Sequence, residues 1–87
     1  FQKMPELPIK TMFRAGQVLY VENQLNEPFS CKVRVARAGS PTSREFDFSM
    51  KAQTFQDIAA IDDWMFQRGD KLEFVKPGFK PRELTVP

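Results

Sequence analysis

Asp57, Asp62, Asp63 and Asp70 crowd one stretch of the chain, and Arg68-Gly69-Asp70 ends it with a triplet that integrins read in exposed loops. Clustered carboxylates are the ligands calcium takes, but a calcium loop of the helix-loop kind needs them at fixed alternate positions around a glycine. That spacing is absent, so Asp62-Asp63 reads as a cap or turn and no metal site is assigned. The triplet reads the same way, since Gly and Asp directly before a strand are ordinary turn residues. A carboxylate pair doing acid–base work needs a cleft and a recognisable constellation. None is visible, and there is no nucleophile motif, phosphate-cradling glycine loop or dinucleotide fingerprint. The chain has no histidine, and Cys31 is its only cysteine. Imidazole catalysis, most zinc sites, cysteine clusters and an intrachain disulfide are thereby removed. The expectation is a non-enzymatic protein with no catalytic residue, no cofactor and no metal.

Binding chemistry is left to the aromatic and basic residues. Nine phenylalanines in 87 residues, with Tyr20 and Trp64, supply large buried area for a thin core. Tyr20, Phe29, Trp64 and Phe79 are the rings that stacking on bases would use, provided that basic residues share their exposed face. Most phenylalanines fall on the apolar side of their strands with the charges on the other. Trp64 and Phe79 are the exceptions, the latter in a Pro-Gly turn beside Lys80 and Arg82. Trp64, Phe79, Lys80 and Arg82 are therefore the candidate ligand or partner contacts. Thirteen basic and eleven acidic residues leave a net charge of only +2, without the one-sided excess that holds a phosphate backbone. Nucleic acid is not the expected partner.

These residues must be positioned by strands. "FQKMPELPIK" carries Pro5 and Pro8, each of which holds its predecessor extended and cannot donate a ladder hydrogen bond. Residues 1–8 read as a linker or edge segment, and residues 9–87 as one domain. Ile9–Arg14 and "QVLYVEN" follow as strands. "PFSCKVRVAR" alternates, with Phe29, Cys31, Val33 and Val35 on one face and Lys32 and Arg34 on the other. "REFDFSMK" alternates again, with Phe46, Phe48 and Met50 opposed to Glu45 and Asp47. The two form a hairpin around Gly39–Ser43. One register sets Arg34 opposite Asp47; slipping by two sets Arg34 opposite Glu45 and Lys32 opposite Asp47. Either way the basic stripe meets an acidic one, which makes Lys32 and Arg34 sheet partners and not phosphate contacts. Cys31 is expected to be buried beside Val33 and Phe48.

"TFQDIAAIDDWMFQRG" supports two readings. As a helix, Thr54 caps, Phe55, Ile58, Ile61 and Met65 share a face, and Gly69 ends it. As β structure, "TFQDIAAI" is a strand, Asp62-Asp63 a turn and "WMF" a second short segment. The surrounding strands favour the second, with a single helical turn near 55–61 as the alternative. "KLEFVK" then points Leu72 and Phe74 inward, Pro77-Gly78 turns the chain, and "RELTVP" adds Leu84 and Val86. In that closing stretch Lys71, Lys76, Lys80 and Arg82 are nearly balanced by Asp70, Glu73 and Glu83, which fits solvated strands.

The closing residues Pro77, Gly78, Phe79, Lys80 and Pro81 resemble the final hairpin of PEGA-type and carboxypeptidase-regulatory-like domains. The resemblance covers about the last quarter of the chain and implies an accessory β-sandwich attached to a larger protein. Together with about seven short extended segments, it gives an all-β, single-domain sandwich of Ig-like or prealbumin-like kind. Opening at Phe1 and not Met agrees with a processed protein or an excised domain, and the localisation leans extracytoplasmic. No segment approaches the apolar length of a membrane span. The expected function is an accessory or interaction domain that contacts a protein partner or a neighbouring domain. The alternative is a small β-barrel that binds single-stranded nucleic acid.

Overall fold

The computed structural model describes residues 4–87, so the first three residues of the expected 1–8 edge segment lie outside the described part. The chain is all-β: β1 (Ile9–Arg14), β2 (Val18–Asn23), β3 (Phe29–Ala36), β4 (Ser43–Met50), β5 (Thr54–Ile58), β6 (Ala60–Ile61), β7 (Trp64–Met65), β8 (Lys71–Val75) and β9 (Arg82–Thr85). Every pairing among them is antiparallel. The helical turn considered near 55–61 is not formed. Instead β5 pairs with β2 from Leu19↔Ile58 to Asn23↔Thr54. The Thr54 hydroxyl donates back to Lys51 O at 2.7 Å. Segment 54–65 thus gives three strands where the sequence reading had two, and the total among the described residues is nine and not about seven. A tertiary ladder on β2 outweighs the helical spacing of the apolar residues, and the strand leaves Phe55 and Met65 exposed where a helix would have grouped them with Ile58 and Ile61.

The strands form a three-stranded sheet in the order β1-β2-β5, a four-stranded sheet in the order β4-β3-β8-β9, and the small β6-β7 pair. Between β3 and β4 the register is Lys32↔Asp47, Val33↔Phe46 and Arg34↔Glu45, the second of the two registers the sequence allowed. On the other side of β3, Arg34 stands opposite Glu73 of β8. One outward row therefore reads Glu45, Arg34, Glu73, with Arg34 Nε 2.8 Å from Glu45 Oε2 and Nη1 3.6 Å from Glu73 Oε1.

Inward residues of both larger sheets meet in one core. Ile9, Leu19 and Val21 come from the first; Phe29, Cys31, Val33, Val35, Met50, Leu72 and Phe74 from the second; Ile61, Trp64, Phe66 and Val86 join the same cluster. Leu7, upstream of β1, is also buried there. Phe48 meets Phe74 edge to face at 6.1 Å, and Phe13 meets Phe66 in the same way at 5.9 Å. Asn23 is fully buried and satisfied: its amide donates to Glu27 O and Lys51 O, and its Oδ1 accepts from the Leu25 N–H. That single side chain holds together the two loops through which the chain leaves one sheet and returns to it. At the closing turn Phe79 N donates to Lys76 O at 3.1 Å, and Gly78 has φ +87°, as a type II Pro-Gly turn requires.

Candidate functional site

The four sequence-predicted contacts do not converge on one surface. Trp64, on β7, is buried, and its indole N–H donates to Asp70 Oδ2 at 3.1 Å. The Arg37 guanidinium lies 4.4 Å from its ring and donates to both carboxylate oxygens of Asp70 at 3.1 Å. The Gln67 N–H donates to Asp70 Oδ2 at 2.9 Å. Asp70 is fully buried, so the Arg-Gly-Asp triplet turns its carboxylate into the protein and offers no exposed acid. Burial by itself would raise the Asp70 pKa, but Arg37, the Gln67 N–H and the Trp64 indole outweigh it and hold the carboxyl below its ordinary range.

Phe79, Lys80 and Arg82 lie together against the N-terminal segment. Phe79 is half-buried with its ring edge-on to Phe29 at 6.3 Å. The Lys80 N–H donates to Pro5 O at 2.9 Å, while its ammonium stands exposed 4.0 Å from Glu6. Arg82 is committed: its guanidinium donates to Leu7 O at 3.0 Å, to Ile9 O, and to Thr11 Oγ1 at 3.3 Å. Lys76 differs from a merely solvated lysine too, donating to Ser30 O at 2.7 Å above the Phe29 ring. The remaining aspartates have separate local roles: Asp57 pairs with Arg14, Asp63 with Arg44, and Asp62 takes the left-handed backbone of the β6–β7 turn.

A different surface stands open. Alternation along β1, β2 and β5 sends Lys10, Met12, Arg14, Tyr20, Glu22, Phe55 and Asp57 to the outer face of the three-stranded sheet. Phe55 is 67% exposed and Met12 47%. Tyr20 stands opposite Met12 in the ladder, and its ring lies 6.0 Å from that of Phe55. Around this apolar centre the charges are mutually engaged. Arg14 lies over the Tyr20 ring at 4.5 Å and 3.6 Å from Asp57, and the Tyr20 hydroxyl donates to Glu22. That hydrogen bond raises the Tyr20 pKa, and with the Gln24 amide it lowers that of Glu22.

Sequence reasoning missed Met12 and Phe55. On a helix Phe55 shares a face with Ile58, but on a strand three residues apart means opposite faces. The available signal was the β alternation itself: with Ile58 inward, Phe55 and Asp57 must point out. No family model, curated protein or solved structure matches the chain.

Proposed function

We propose that this chain is a small Ig-like β-sandwich acting as a non-enzymatic interaction domain, and that it binds a protein partner across the outer face of β1, β2 and β5. Support for the sandwich comes from the strand order, 1-2-5 in one sheet and 4-3-8-9 in the other, with the chain changing sheets after β2 and again after β4. That crossing pattern suits a Greek-key sandwich, and the common core of the two sheets suits it as well. The type II Pro77-Gly78 turn keeps the likeness to PEGA-type and carboxypeptidase-regulatory-like domains within this reading.

The observation that carries the function is the contiguous Met12–Tyr20–Phe55 surface. Met and aromatic residues at the centre of a patch with charged residues at its rim form the composition of protein interfaces. Two cations, Lys10 and Arg14, face two carboxylates, Glu22 and Asp57, on that surface. A single-stranded nucleic acid stacking on Tyr20 and Phe55 would therefore lay its phosphates among carboxylates as well as cations. This favours the protein reading over the nucleic-acid one.

A photoreactive phenylalanine at position 55, in cells that make the native chain, is expected to give a discrete protein adduct that Tyr20→Ser removes. The same group at exposed Thr85, on the other sheet, is expected to give none. Absence of an adduct at position 55, or equal adducts at both positions, overturns the proposal. Submicromolar binding of an oligothymidylate that weakens steeply with salt would establish the nucleic-acid reading in its place.

A further inference from the structure

Each larger sheet ends in two edge strands, and the four edges differ in how far they are closed. Along β1 and the residue pair before it, the carbonyls of Leu7 and Ile9 accept the Arg82 guanidinium. β9 has four residues and follows directly on Pro81, and β5 has five. β4 has eight residues, contains neither proline nor lysine, and among the described residues pairs only with β3. A long edge without proline or bulge is a template for another strand, and the charges that β4 does carry, Arg44, Glu45 and Asp47, restrict which strand can pair with it. The geometry points to the free edge of β4 as a docking site for an extended peptide whose residues alternate between basic and apolar. This surface is separate from the Met12–Tyr20–Phe55 face.

The chemistry of the partner follows from the two rows that β4 presents. Its outward row carries Glu45 and Asp47; its inward row carries Phe46 and Phe48, beyond which Arg44, opposite Val35, is held by Asp63 at 2.8 Å and limits the open apolar stretch to those two rings. β3, on the paired side, answers the outward acids with bases: Lys32 Nζ lies 3.6 Å from Glu45 and 3.5 Å from Asp47, and Arg34 lies 2.8 Å from Glu45. It answers the phenylalanines with Val33 and Cys31. Both β3 residues are buried, and Val33 has strand neighbours on both sides, whereas Phe46 and Phe48 have one only and stay half-exposed. A strand that completes β4 from its free side meets the same two rows, so it suits the alternation that β3 itself carries.

A second copy of this chain is opposed in the registers that overlap most of β4; pairing centred on Phe48, which sets Asp47 against Ser49, overlaps less of the strand and leaves Glu45 outside it. Antiparallel pairing of β4 with itself centred on Phe46 sets Glu45 against Asp47. Centring on Asp47 or on Glu45 sets that carboxylate against its own twin. Like charges directly opposite destabilise a strand pair.

The test uses the peptide acetyl-Lys-Val-Arg-Val-Lys-Val-amide, its acidic counterpart with Glu at the three basic positions, and hydrogen exchange of the intact chain. The basic peptide is expected to bind and to slow exchange of amides within 44–49, and the acidic one to leave them unchanged. Glu45→Gln with Asp47→Asn, which keeps the shape of both side chains, is expected to weaken binding at least fivefold. The inference is overturned by any of three results: no protection in β4 at about 1 mM peptide, protection that falls elsewhere, or binding indifferent to the two substitutions.

Discussion

Asp70 shows how a single side chain can change the meaning of a sequence. Its carboxylate accepts from Arg37, Trp64 and the Gln67 N–H, so it fastens the 64–70 segment to the residue that follows β3. Because its pKa in the folded chain is lowered, it contributes stability that is complete above the unfolded carboxylate range near pH 4. That contribution disappears as the pH falls through the lowered folded value. Denaturant titrations at pH 6 and pH 3 should show a larger loss of stability for the native chain than for Asp70→Asn. At pH 6 the same substitution should cost about 1–3 kcal/mol, the usual penalty for weakening buried hydrogen bonds. Cys31 gives an independent check on the strand phase. Burial pushes its thiol up to about 11, with nearby Lys76 opposing the shift. A thiol reagent at pH 8 should leave the native chain unlabelled and react fully in denaturant.

At the level of elements, the turns carry the most exacting backbone demands. Gly78 has open space around its missing Cβ, so Gly78→Ala introduces no clash and tests φ alone. It should cost roughly 1–2 kcal/mol in chemical denaturation, the price of placing a side chain in the left-handed region. This turn was legible in the sequence because Pro-Gly specifies it locally. So were the faces of β3, β4 and β8, where strict alternation makes a one-residue slip invert every side chain. The choice between the two β3–β4 registers was not legible, since both oppose basic to acidic residues. Segment 54–65 was ambiguous for a related reason: Phe55, Ile58 and Ile61 satisfy helical spacing, and only pairing with β2, remote in sequence, breaks the tie. The exposed aromatic face stayed hidden behind that same ambiguity, because Phe55 reads as core until its strand is known.

For the molecule as a whole, the closing stretch divides its basic residues between surface and scaffold. Lys71 projects from the outer face of β8 into solvent, whereas Arg82 reaches from β9 to the carbonyls of Leu7 and Ile9 and to Thr11. Arg82 thus joins the last strand of one sheet to the first strand of the other. Its removal leaves carbonyl oxygens without their donor and releases the contact that joins the two sheets on that side. Lys71→Ala should change stability by less than about 0.5 kcal/mol, as for other exposed charges. Arg82→Ala should cost on the order of 1–3 kcal/mol. The decisive distinction lies in where the loss occurs. If Arg82 is a tie between sheets, Arg82→Ala should speed amide exchange in β1 and β9 before it affects β3 and β4, whose mutual ladder it does not touch. Phe74→Ala supplies the contrast: this ring is buried in the shared core against Phe48, and its loss should cost about 3–5 kcal/mol and lower protection in both sheets together. Uniform loss of protection in Arg82→Ala, or none at all, would show that packing alone holds the sheets together and that the guanidinium merely decorates the edge.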